Sequence, residues 1–192
     1  MRAAVIWALL LVGLAGAGCA GQSATKPVEL LDERTGMTVA ALKEPIELVP
    51  SVQSAAIASR KRSSFAYLGP VEWNRSGTLS YGLWVHIAPG SDRPPGDIRA
   101  AAALTLVLSD GALDLSPIEA PRLGMDPYRQ AVSWGQTAYY ALTVDGLKRI
   151  AASSTIRLDV RAADGSIIAF SPTQDPRSAL TRYLQSRGIT GD

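Results

Sequence analysis

LSYGLWVHI, residues 79–87, decides how the chain is read. Leu79, Tyr81, Leu83, Val85 and Ile87 fall on one side of an extended strand, and Ser80, Gly82, Trp84 and His86 on the other. Successive side chains of extended backbone point to opposite faces, so apolar residues at every second position mark a strand with one buried face. Farther along, Ile156, Leu158 and Val160 alternate in the same way with Arg157, Asp159 and Arg161. Further runs of strand composition begin at Thr38 (TVAAL), Ile46 (IELV), Ser64 (SFAYLGPVEW), Ala102 (AALTLVLSD), Thr137 (TAYYALTV) and Ser166 (SIIAF). One-sided strands of this kind belong to antiparallel sheets.

The turns between the runs agree. NRSG at 74–77, SDGA at 109–112 and ADGS at 163–166 carry residues that tolerate positive φ, the requirement of tight hairpins. A two-residue loop at Asp164-Gly165 would place Ile168 and Phe170 on the face of Asp159 and Arg161, away from Leu158 and Val160. Either that loop is longer, or something covers the second face. Two helices are expected. Thr143 caps a stretch in which Val144, Leu147, Ile150 and Ala151 recur at helical spacing. Asp175 and Pro176 open a second, with Leu180, Tyr183 and Leu184 as its apolar stripe and Gly188 as its stop. That stripe is the most economical cover for Ile168 and Phe170. The fold expected is therefore mainly β: an antiparallel, sandwich-like domain with one short helix and a C-terminal helix.

The N-terminus reads differently. A charge-free run from Ala3 to Gly18 follows Arg2, and it is shorter than the roughly 20 residues a membrane-spanning helix needs. That is signal-peptide anatomy. GLAGAGC, residues 13–19, resembles the lipobox of bacterial lipoproteins, although Gly16 stands where that motif most often has Leu. The resemblance implies cleavage before Cys19 and acyl chains, palmitate among them, on its sulfur and amine; several chains anchor far more firmly than one. Ala20 after the cysteine implies sorting to the outer membrane, periplasmic face. An ordinary secretory signal or an uncleaved N-terminal anchor are the plainer alternatives. The organisation expected is a signal peptide at 1–18, a flexible tether at 19–31 and one β-rich periplasmic domain at 32–192.

Composition bounds the chemistry. A formal charge of +2 over 192 residues gives no basic field of the kind nucleic acid requires. The single Cys is spoken for if Cys19 is acylated, leaving no thiol for a disulfide, a nucleophile or a metal. The single His, His86, reads as a satisfied surface or edge residue of its strand, and one imidazole without thiolates makes a poor zinc site. No G-x-S-x-G, calcium loop or phosphate-binding glycine motif occurs, and no cofactor is implied. Glu72, Asp97, Asp110, Asp114 and Glu119 are scattered, and only their meeting in space would make an acid–base pair.

Two stretches stand apart. Arg60, Lys61 and Arg62 suit anionic lipid headgroups, or simply form a solvated loop. PRLGMDPYRQAVSWG, residues 121–135, is long and irregular and carries Met125, Tyr128 and Trp134; it reads as a partner-binding loop, or as a surface loop tucked down by its own apolar residues. DERTGMTV at 32–39, YLGPVEWNRSGTLSYGLWVHI at 67–87 and YYALTVDGLKRIA at 139–151 resemble a group of uncharacterised proteobacterial lipoproteins sharing a D-x-x-T-G-x-T-V start and an L-G-P-V-E-x-N-R strand-turn. The resemblance implies a lipid-anchored β domain and no site; within it, Glu72 and Asn74 are expected to hold the turn. The function expected is that of a non-enzymatic envelope lipoprotein that presents a sheet edge or loop to a protein partner. The alternatives are a binder of a small apolar or glycan ligand between sheet and helix and, more weakly, a hydrolase with a carboxylate pair.

Overall fold

Strand pairing starts from the two longest alternating runs. Phe65–Arg75 (β4) and Thr78–Ala88 (β5) form a hairpin in register from Phe65↔Ala88 to Arg75↔Thr78. Its two-residue turn puts Ser76 and Gly77 at φ 51° and 88°, and the Gly77 N–H donates to Asn74 Oδ1 at 2.8 Å, so Asn74 holds the turn as expected. The computed structural model describes residues 27–51, 64–88, 95–100, 103–121 and 123–189. Within them, all strands join one curled, antiparallel, eleven-stranded sheet. The remaining strands are Pro27–Asp32 (β1), Met37–Leu42 (β2), Ile46–Pro50 (β3), Leu104–Leu108 (β6), Gly111–Asp114 (β7), Pro117–Ile118 (β8), Gln136–Ala141 (β9), Ile156–Arg161 (β10) and Ile167–Pro172 (β11). Their order is β7-β6-β10-β11-β3-β4-β5-β9-β8, with β2 on β4 and β1 outside β2.

The sheet forks along one edge of β4. Its first half pairs with β3, from Leu68↔Ile46 to Ala66↔Leu48, and its second half with β2, from Val71↔Ala41 to Asn74↔Thr38. Gly69 and Pro70 lie at the fork, where neither neighbour pairs and a missing N–H costs no ladder bond. The inner face is the core: Leu48, Leu68, Val85, Leu106, Leu158 and Phe170 are all sealed from solvent.

Three expectations change here. Pro27–Leu31, assigned to a tether, are the first residues of β1 and pair in full with β2, so the domain begins at Pro27 or before. The ADGS loop is the longer of the two options: Arg161 faces Ile167, the Ala162 N–H donates to the Ser166 carbonyl and Gly165 takes φ 82°. Ile168 and Phe170 therefore sit opposite Val160 and Leu158 on the inner face, and no second face needs cover. Nor is β5 one-sided, because Trp84 and His86 are as buried as Leu83 and Val85.

Both expected helices form. Val144–Ala152 (α1) is capped by Thr143, whose Oγ1 accepts from the Gly146 N–H at 3.0 Å. Arg177–Ser186 (α2) opens with Asp175 Oδ1 accepting from the Arg177 N–H. It closes with the paired Gly188-to-Gln185 and Ile189-to-Leu184 bonds of a glycine-terminated helix. Ala179, Leu180, Tyr183 and Leu184 are buried against α1, β1 and β2. Just past α2, Arg187 reaches Glu29 of β1 at 2.5 Å and Glu72 of β4 at 3.5 Å. Glu72, expected at the turn, instead helps pin this helix to the sheet.

Candidate functional site

The outer face of β4 and β5 carries a layer of rings under a strap of irregular chain, residues 119–121 and 123–135. Tyr128 fastens the strap. Its ring packs on Trp84, centroids 5.0 Å apart, and lies over Gly69, where a Cβ would come within 2.3 Å of it. Its hydroxyl donates to the Pro70 carbonyl at 2.8 Å and accepts from the Leu42 N–H at 3.0 Å. One side chain thus supplies a partner for a backbone N–H and for a backbone carbonyl at the fork. Burial pushes the Tyr128 hydroxyl well above the usual phenol range, so it stays a neutral donor. Tyr128 is therefore part of the core, 2% exposed.

The strap is held elsewhere too. At one end, the Gly124 N–H donates to Asp32 Oδ1 at 3.2 Å. Asp32 is buried at the β1–β2 turn, and a hydrogen bond from the Thr35 hydroxyl, then those from Gly124 and Arg34, hold its carboxyl below the usual range. At the other end, Gly135 lies against His86, where a Cβ would come within 2.3 Å of the imidazole. Asp32 lies level with the hairpin tip of β4 and β5, and His86 near the opposite end of β5. Met125 and Trp134 are therefore exposed at opposite ends of the strap, 39% and 67%, and form no single cluster with Tyr128.

His86 is neither a surface nor an edge residue. It stacks on Trp84 at 14° between planes, pairs across the ladder with Tyr67 and is closed from solvent. Nδ1 lies 2.9 Å from Thr137 Oγ1, while Nε2 has no partner among the described residues. Protonation would bury a second N–H without an acceptor, and burial accordingly lowers the imidazole pKa. Among the described residues no cluster of His, Cys, Asp and Glu has the arrangement of a metal site. Of the scattered carboxylates, Glu72 is tied to Arg187 and Asp110 to Arg149, while Asp97 accepts from the Arg99 N–H.

Beside this layer, β9 has among the described residues no strand partner from Gln136 to Ala138 on the side away from β5. β8 pairs with β9 only at Tyr139 and Tyr140, then turns away. A groove of about 610 Å³ opens where the strands part, lined by Arg99, Pro117–Ala120, Gln130 and Thr137–Tyr139. The sequence carried no mark of it, since a two-residue strand has no periodicity. A second cavity, of about 400 Å³, lies between the sheet and the start of α2, with Glu47, Tyr67, Arg129, Pro176 and Ala179 in its lining. Cys19 and the Arg60-Lys61-Arg62 run lie outside the described residues. No protein family, curated protein or solved structure gives a significant match to the chain.

Proposed function

We propose that the chain is a lipid-anchored, non-enzymatic lipoprotein of the cell envelope, tied through Cys19 to the periplasmic face of the outer membrane, and that its domain is a protein-interaction module. The observation that carries the interaction reading is Trp134, 67% exposed one residue before the Gly135 that rests on His86. A large rigid ring held out from a fixed point suits an interface, because little conformational freedom is lost when it is buried, and tryptophan is enriched among residues that dominate binding. The anchoring reading rests on the lipobox resemblance. The chain between Cys19 and Pro27 lets the domain stand at most about 28 Å from the anchor, and the basic Arg60-Lys61-Arg62 sequence suits anionic headgroups.

Capture from envelope extract by the full lipidated chain tests the proposal. A specific partner retained by the parent and by Arg157→Ala, and lost with Trp134→Ala, supports it; identical capture by all three contradicts it. Cys19→Ala should accumulate as unprocessed precursor. A second reading, a small apolar or glycan ligand between sheet and helix, is favoured by the cavity beside α2. There Tyr67 offers a flat ring whose hydroxyl is pushed up first by burial and then by Glu47.

A further inference from the structure

The open side of β9 carries an inference that rests on the interaction reading and gives it a mode. The Ala141 N–H donates to the Ser116 carbonyl, which sets the parity of the strand. Alternate residues of an antiparallel strand turn their backbone groups to the same side, so those of Tyr139 and Thr137 also face away from β5. Tyr139 is met by Ile118 of β8. Thr137 lies beyond the last β8 pair, at the groove, and its carbonyl accepts a bond from Arg99 Nη2 at 3.3 Å.

Arg99 is exposed and has no carboxylate partner for its guanidinium among the described residues. A flexible charged side chain laid over a strand edge blunts it against promiscuous pairing. It also sets the terms on which the edge would open.

We propose that this edge receives an extended acidic segment of the protein partner as an added strand in the groove between β8 and β9. A carboxylate on the segment draws the Arg99 guanidinium off the Thr137 carbonyl, and a main-chain N–H of the segment takes its place. Main-chain bonds supply affinity in this mode, and side chains at alternate positions supply specificity. At about 3.3 Å per residue, the open length of β9 from Gln136 to Ala138 takes three or four residues of the guest. Arg99 then gives charge selection, and Pro117, Ile118 and Ala120, with Glu119 between them in the same lining, accommodate the neighbouring positions.

The test uses the full lipidated chain in detergent and two labelled peptides, Thr-Val-Glu-Val-Thr-Val and the same peptide with Lys for Glu, read by fluorescence anisotropy. The expected result is saturable binding of the Glu peptide at least about tenfold tighter than the Lys peptide, inversion of that preference by Arg99→Glu, and slowed hydrogen exchange at the Thr137 amide. Equal binding of the two peptides, no binding of either, or an unchanged preference in Arg99→Glu would overturn strand addition. Capture through Trp134 that persists in those cases leaves the interaction reading standing; loss of capture as well removes both.

Discussion

Tyr128 shows what one side chain contributes when a sheet divides. It joins Leu42, 86 positions earlier, to Pro70, 58 positions earlier, through a single hydroxyl. Tyr128→Phe keeps the ring on Trp84 and Gly69 but leaves a buried N–H and a buried carbonyl unpaired. Each orphaned buried group costs about 1–3 kcal/mol, so the denaturation midpoint should fall clearly with the fold retained; an unchanged midpoint would mean the hydroxyl is dispensable. His86 has a different signature. Its pKa is lowered in the folded state and returns to the ordinary value near 6.5 on unfolding, so between these values the unfolded chain binds the extra proton. Stability should be full above about pH 6.5 and decline as pH falls toward the lowered folded value. His86→Gln should remove that part of the slope in denaturation series at pH 7.5 and 5.5. None of this partnership was visible as sequence spacing. The local hint was glycine placed in or beside aromatic strands: Gly69 and Gly135 leave room for Tyr128 and His86, just as Gly82 does for Trp73.

Helix α2 was legible in both its ends and its buried stripe, because Asp, Pro and Gly at helix termini act through local backbone bonds. Its docking was not, because the two-residue reading of the ADGS loop reversed the register of Ile168 and Phe170. One extra loop residue exchanges the two faces of a strand. The stripe packs instead on α1 and on β1 and β2, with the Tyr183 hydroxyl donating to the Ala40 carbonyl at 3.3 Å. Leu180→Ala with Leu184→Ala should still melt far below the parent, since each buried Leu→Ala costs about 2–5 kcal/mol. Arg182→Ala, whose guanidinium bonds only the Ser178 carbonyl of its own helix among the described residues, should be nearly silent. Equal midpoints for the three proteins would mean that α2 does not belong to the core. β1 was missed for a related reason: at the edge of the sheet its Leu31 is exposed and Glu29 faces Arg187, so PVELLD shows no clean alternation.

At the scale of the whole molecule, the eight strand runs read from sequence belong to a single curled sheet with both faces of its centre covered, the inner by its own strands and helices and the outer by the strap. Alternation reported the inner face correctly. It could not report the strap, whose fastening depends on contacts far apart in the chain. What the covered centre leaves exposed is its periphery: Trp134 at the strap's end and the edge of β9 beside it in sequence. Crosslinking in intact cells tests the proposal that this periphery meets a protein in the envelope. A photoreactive residue in place of Trp134 should give a discrete adduct in the membrane fraction, while the same residue in place of Arg157, on the outward face of β10, should give none. No adduct from position 134, or equal adducts from both positions, would overturn the proposed interaction.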